Sequence, residues 1–220
     1  MVAAELISNV IVPLSPADSI QRGLARMNEF KVYQMPIVND TQYLGVVAED
    51  ELLEIRDPEI SIADKPLRLL NPFVYHDTHI YDVIRLMGQL QLCILPVLDA
   101  TNTFLGTITE RDLIKYTAEI FALQEPGGTI VLEISNRNNS LAHMSQIVEA
   151  DNAQVLSSFV RAFPDSTKLE VTLKINKTEL SGITASFERY DYEVKAVYNN
   201  TKIDNGSEDR YNSLMNYLNV

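Results

Sequence analysis

The first half of the chain is written twice. The segments "SIQRGLARMNEFKVYQMPIVNDTQYLGVVAEDELL" and "HIYDVIRLMGQLQLCILPVLDATNTFLGTITERDLI" align at an offset of 60 residues, pairing Ile20 with Ile80, Met27 with Met87 and Pro36 with Pro96. One extra residue in the second copy's turn moves the offset to 61, so Gly45 aligns with Gly106. A repeat of this length means two homologous supersecondary units, each with an apolar face to bury, and the obvious partner for each face is the other unit. Tandem units related by a pseudo-twofold axis leave a cleft between them, the kind of junction where small molecules bind.

Each copy carries the same punctuation. A short apolar stretch, "NVIVPL" or "NPFVY", leads into an amphipathic helix with Ile20, Leu24 and Met27, or Ile80, Ile84 and Met87, on its inner side. Asp18 and Thr78 are the expected N-caps, ahead of Ser19 and His79. Two short strands follow, joined by the turn residues "NDTQ" and "DATNT", and a second helix opens near Asp50 and Glu110. The order is β-α-β-β-α, twice, with a polar, proline-punctuated connection holding one short helix. "EPGGT" at 125–129 ends that pattern. Beyond it, a strand at "TIVLEI", a helix with Leu141, Met144, Ile147 and Val148 inward, a hairpin, a helix with Leu180, Ile183 and Phe187 inward and a last strand "YEVKAVY" give β-α-β-β-α-β, the ferredoxin-like order. Residues 200–220 read as a polar linker and a short helix with Tyr211, Leu214, Met215 and Leu218 on one face.

A net charge of −12 argues against nucleic acid and anionic membrane as partners. It leaves room for a phosphate held at a helix N-terminus. The opening residues lack a basic leader, no apolar run approaches the ~20 residues of a membrane span, and the single Cys93 fits a reducing cytoplasm, so a cytoplasmic protein is expected.

The doubled unit, with "MPIV" and "LPVL" followed by "LGVV" and "LGTITERDL", resembles a tandem CBS pair, or Bateman module. That resemblance covers 1–122, the first copy about 1–60 and the second about 61–122. The part at 126–199 resembles an ACT-like domain, and the layout is similar to acetoin-utilisation-type CBS–ACT regulatory proteins. The implied class is α+β, two CBS units plus a ferredoxin-like domain. The implied function is regulatory: an adenine nucleotide or adenosyl ligand (AMP, ADP or ATP, with or without Mg) bound in the CBS cleft, its signal passed to the ACT-like part. An ordinary homodimer and an unidentified protein target would complete the assembly, and no enzyme is implied.

The second motif, Gly106 to Asp112, carries the chemistry. A strand ending at Thr109 and a helix opening at Glu110 put a hydroxyl and unsatisfied backbone N–H groups at a helix N-terminus, where phosphate oxygens are favoured. The resemblance implies Asp112 on ribose hydroxyls and Thr109 on phosphate or ribose. It also implies an adenine slot formed by Phe73, Ile94, Leu95 and Pro96. Arg111 can neutralise phosphate if it turns inward. The first copy has Ala48 and Glu51 at the motif positions, so one competent site is expected, with Glu51 a contributor of altered geometry and Glu49, Asp50 and Glu51 a solvated helix start. Thr and Asp at a helix start are also common caps. His76 and His79 lack a third partner for a metal, Cys93 reads as a small buried residue and His143 as solvent-facing. In the ACT-like part, Asn139 and Ser140 stand where amino-acid-binding relatives carry glycine, which favours dimerisation over amino-acid sensing. A ligand-free structural module remains the alternative.

Overall fold

The computed structural model describes residues 1–8, 10–135, 140–164 and 166–199. The chain divides into two compact units, Met1–Tyr116 and Thr117–Val220.

In the first unit, copy one comprises α1 (Ile20–Phe30), β1 (Gln34–Asn39), β2 (Gln42–Ala48) and α2 (Glu49–Leu53). Copy two comprises β3 (Val74–Tyr75), α3 (Ile80–Leu90), β4 (Ile94–Leu98), β5 (Phe104–Thr109) and α4 (Glu110–Ile120), the last of which runs past the end of the first unit at Tyr116. The repeat extends to the backbone details. Both α1 and α3 end on a left-handed non-glycine residue, Lys31 (φ 57°) and Gln91 (φ 51°), whose N–H returns to the carbonyl of Met27 or Met87. Both antiparallel hairpins carry an irregularity at the same place, Ile37/Val38 and Val97/Leu98. Opposite it sit Gly45 (φ 148°) and Gly106 (φ 152°). A Cβ on Gly45 would lie 2.8 Å from the Leu70 carbonyl oxygen, so glycine is needed for both the torsion and the space.

The helix starts differ from expectation. Ser19 and His79 are the N-caps, accepting from the N–H groups of Arg22 and Tyr81. Asp18 is instead buried, accepts from Ser15 N–H at 2.8 Å and pairs with Arg22 and Arg26. An aspartate one residue too early is held by its arginines instead of capping. Leu24 packs against the core, but Ile84 is exposed and Val83 takes the buried position on α3.

Two clusters fill the unit, and each draws on residues outside its own repeat. Met27, Met35, Ile37, Val46 and Leu52 of copy one enclose Cys93 and Ile94 of copy two. Val83, Met87, Leu95, Val97 and Ile108 of copy two enclose Ala3. The first eight residues thus belong to copy two: Ala3 N–H donates to Thr78 O at 2.8 Å, Ala4 N–H to His76 O at 2.9 Å and Ser8 N–H to Thr107 O at 2.9 Å. The connection between copies holds one 3₁₀ turn, Ile62–Asp64.

The second unit runs β6 (Gly128–Ser135), α5 (Leu141–Glu149), β7 (Val155–Ala162), β8 (Lys168–Ile175), α6 (Ser181–Arg189) and β9 (Glu193–Asn199). Its antiparallel sheet has the order β7-β8-β6-β9, the ferredoxin-like arrangement. Alternate residues Ile130, Leu132, Val171 and Leu173 bury one sheet face with Met144, Ile147, Val148, Leu180, Ile183 and Phe187 of the helices. Leu141, expected inward, is exposed in the first turn. His143 is half-buried, its Nδ1 2.8 Å from the Tyr192 hydroxyl, and does not face solvent as expected. Asn139 and residues 200–220 lie outside the described residues.

Candidate nucleotide site

The two copies set their motifs by one backbone contact. Glu49 N–H donates to Tyr33 O at 2.9 Å, and its equivalent Glu110 N–H donates to Cys93 O at 2.9 Å. Each second helix therefore starts against the residue before the facing strand, next to the junction with the other copy.

At that point in copy two, Thr109 and Asp112 form a reciprocal cap. Asp112 N–H donates to Thr109 Oγ1 at 3.1 Å, while Thr109 N–H and Oγ1–H donate to Asp112 Oδ2 at 3.2 and 2.5 Å. This is the capping-box arrangement with Asp in place of Glu, and it satisfies two orphan donors. All three bonds use Oδ2 or the hydroxyl. Among the described residues Oδ1 of Asp112 has no partner, and it can accept from a ligand without opening the cap.

The pair lines a cavity of about 390 Å³. Arg111 joins it from α4, and Lys31, in its left-handed turn, joins from copy one. Glu110 and Asp112 balance these two cations. The apolar wall consists of Ile11, Val32, Cys93 and Ile114. Tyr33 also lines it; burial first, then Cys93 and Glu110, push its phenol above the ordinary range. Burial likewise pushes the Cys93 thiol up, against backbone hydrogen bonds that lower it. Cys93 is thus a small, buried, protonated side chain, as the sequence suggested.

Of the residues expected at the site, Thr109, Arg111 and Asp112 come together. Ile94, Leu95 and Pro96 are buried in strand β4 and do not line this cavity. Phe73 lies at a second cavity, stacked edge-on between Tyr43 and Tyr75. Glu51 accepts from Arg68 N–H at 3.2 Å and lines neither. Ala48 caps nothing through its side chain, and α2 is five residues long where α4 has eleven. Sequence reasoning missed Ser8, Lys31 and Tyr33; the 60-residue offset relating Tyr33 to Cys93 was the signal that could have found Tyr33. His79 is spent as a cap, and among the described residues no cluster suited to a metal ion exists. Nor is any described helix long and apolar enough to cross a membrane.

This α+β architecture of two tandem units is a CBS pair. The leading strand expected in copy one is reduced to an isolated parallel bridge between Leu14 and Ile37, and only copy two has the full β-α-β-β-α order. The CBS domain family model matches residues 3–57 and 62–119, just over half of the chain, and the chain belongs to the CBS domain family. Inosine-5'-monophosphate dehydrogenase of Methanocaldococcus jannaschii is 20% identical over 150 residues, 68% of this chain but 30% of the dehydrogenase, so the chain spans less than a third of that relative. Similar solved structures include a CBS domain pair/ACT domain protein from Thermotoga maritima (21% identity, 54% of this chain and 98% of that one, TM-score 0.49). CBSX2 in complex with AMP is 20% identical and covers 54% of this chain and 97% of that one, with a TM-score of 0.47. The cytosolic domain of the Mg²⁺ channel MgtE in complex with ATP is 21% identical and covers 52% and 48%, with a TM-score of 0.45.

Proposed function

We propose that this protein is a non-catalytic regulatory sensor that binds one adenine nucleotide or adenosyl ligand at the second CBS motif. The observation that carries this reading is the convergence of Thr109, Arg111 and Asp112 on one cavity with Lys31 opposite in sequence and an apolar wall beside them. Arg111 and Lys31 would neutralise phosphate, the positive end of the α4 dipole would favour it, and Asp112 Oδ1 would take the ribose hydroxyls. The ferredoxin-like unit, read as ACT-like, would receive the signal as a change in the population of two arrangements. A cytoplasmic homodimer is the assembly this reading implies.

The test is a thermal-shift panel of AMP, ADP and ATP, with and without Mg²⁺, beside the common amino acids. Ligand at about 100 times its Kd adds about 2.7 kcal/mol to the unit that binds it. A shift with one nucleotide, lost in Asp112→Ala, supports the sensor. Amino-acid stabilisation indifferent to Asp112→Ala would move the function to the second unit. The closed Thr109–Asp112 cap favours one further reading, a purely structural module, which predicts silence across the panel.

A further inference from the structure

The charges around the first cavity limit how much phosphate it can hold. Its wall carries two cations, Lys31 and Arg111, and two carboxylates, Glu110 and Asp112, so it presents no net charge. The start of α4 adds few donors to those cations. Its Glu110 N–H is given to Cys93 O at 2.9 Å and its Asp112 N–H to Thr109 Oγ1 at 3.1 Å, so neither remains for a phosphate oxygen. Lys31 Nζ keeps donors beyond the one it gives to Asn28 Oδ1 at 2.9 Å. The hold on phosphate thus rests on two side chains, each opposed by a carboxylate.

The two carboxylates are not equivalent. Asp112 is closed into its cap with Thr109. Glu110 enters no ion pair among the described residues, and its charge is left on the cavity wall. Two neighbours in the lining feel it: burial comes first in raising the Tyr33 phenol and the Cys93 thiol, and the Glu110 carboxylate adds to both. A cavity of about 390 Å³ is about 9 Å across if taken as a sphere, less than the ~10 Å Debye length at 0.1 M salt. A phosphate anywhere inside it meets Glu110 with little screening. A monophosphate brings up to about two negative charges, which Lys31 and Arg111 match. Every further phosphate adds charge that no cation in the lining balances, against Glu110 and a chain of net charge −12.

We infer that Glu110 sets the phosphate number of this site, which takes a nucleoside monophosphate and turns away the triphosphate. This assignment rests on the nucleotide reading of the cavity and adds to it the residue that chooses among nucleotides.

The test is isothermal titration calorimetry of the full chain with AMP and with ATP, free of divalent cations, at about 0.1 M salt. AMP should bind at least about five-fold more tightly than ATP. Glu110→Gln, which keeps the side-chain length and the N–H bond to Cys93 O, should cut that ratio at least about three-fold by strengthening ATP. Glu59→Gln removes the same charge from an exposed position outside the cavity and should leave the ratio unchanged. Equal binding of the two nucleotides or tighter binding of ATP overturns the inference and leaves the nucleotide reading standing. So does a ratio that Glu110→Gln leaves alone, or that Glu59→Gln moves as far. Silence with both nucleotides overturns that reading and the inference with it.

Discussion

Thr109→Ala gives the second motif the alanine that copy one has at Ala48 and tests how the site is held. The hydroxyl makes two bonds, accepting from Asp112 N–H at 3.1 Å and donating to Asp112 Oδ2 at 2.5 Å. Loss of the cap, with a charge-assisted bond at a half-buried carboxylate, costs about 1.5 kcal/mol. The first unit spans Met1–Tyr116, and at about 2.1 cal/mol/K per residue its unfolding entropy near the midpoint is about 0.24 kcal/mol/K. The Tm of that unit should therefore fall by about 6 °C. Differential scanning calorimetry reads the transition directly, and the melt of the second unit serves as an internal reference. A shift under about 1 °C refutes the capping account. The reverse substitution supplies the control. Ala48→Thr adds a hydroxyl for Glu51 N–H, which already bonds Asp50 Oδ1 at 3.0 Å, so the gain should be only about 0.5 kcal/mol.

Two further outcomes follow from the geometry. Gly127 has φ 146°, and a Cβ there would lie 1.9 Å from the Ile175 carbonyl oxygen, a backbone atom of central strand β8; Gly127→Ala should cost the second unit at least about 3 kcal/mol, read as the urea midpoint of its transition. Burial drives the Tyr43 phenol far above its ordinary pKa. Its folded-state value is raised, so its contribution is complete below the unfolded phenol pKa of about 10 and is lost as pH rises beyond it. Tyr43→Phe should cost about 1 kcal/mol at neutral pH, since Pro72 O loses its donor, and flatten the alkaline fall; urea unfolding from about pH 8 to 11 measures both.

Local pattern carried most of the architecture. The spacing of Met27, Met87, Pro36 and Pro96 declared the repeat, and the backbone repeats down to Lys31 and Gln91 in matching left-handed turns. The alternation of "TIVLEI" against "KLEVTLKI" gave the buried face of the second sheet, because strand period and burial are the same information. The Thr109–Asp112 pair was legible too, since a cap joins residues three apart. Side chains within a helix were less so: Ile84 and Leu141 are apolar at helical spacing, yet the neighbouring elements leave them exposed.

What the sequence determined by itself is therefore the doubled unit, the intact second motif and the degenerate first, all properties of residues close along the chain. Tertiary structure decided which copy each end of the chain joins and what shares a cavity. Ala3 packs with copy two through backbone bonds to residues more than 70 positions away, and Lys31 of copy one lines the same cavity as Arg111 of copy two. Such contacts depend on how two apolar faces dock, and the free energy of that docking is spread over whole clusters, so no single spacing in the chain encodes them.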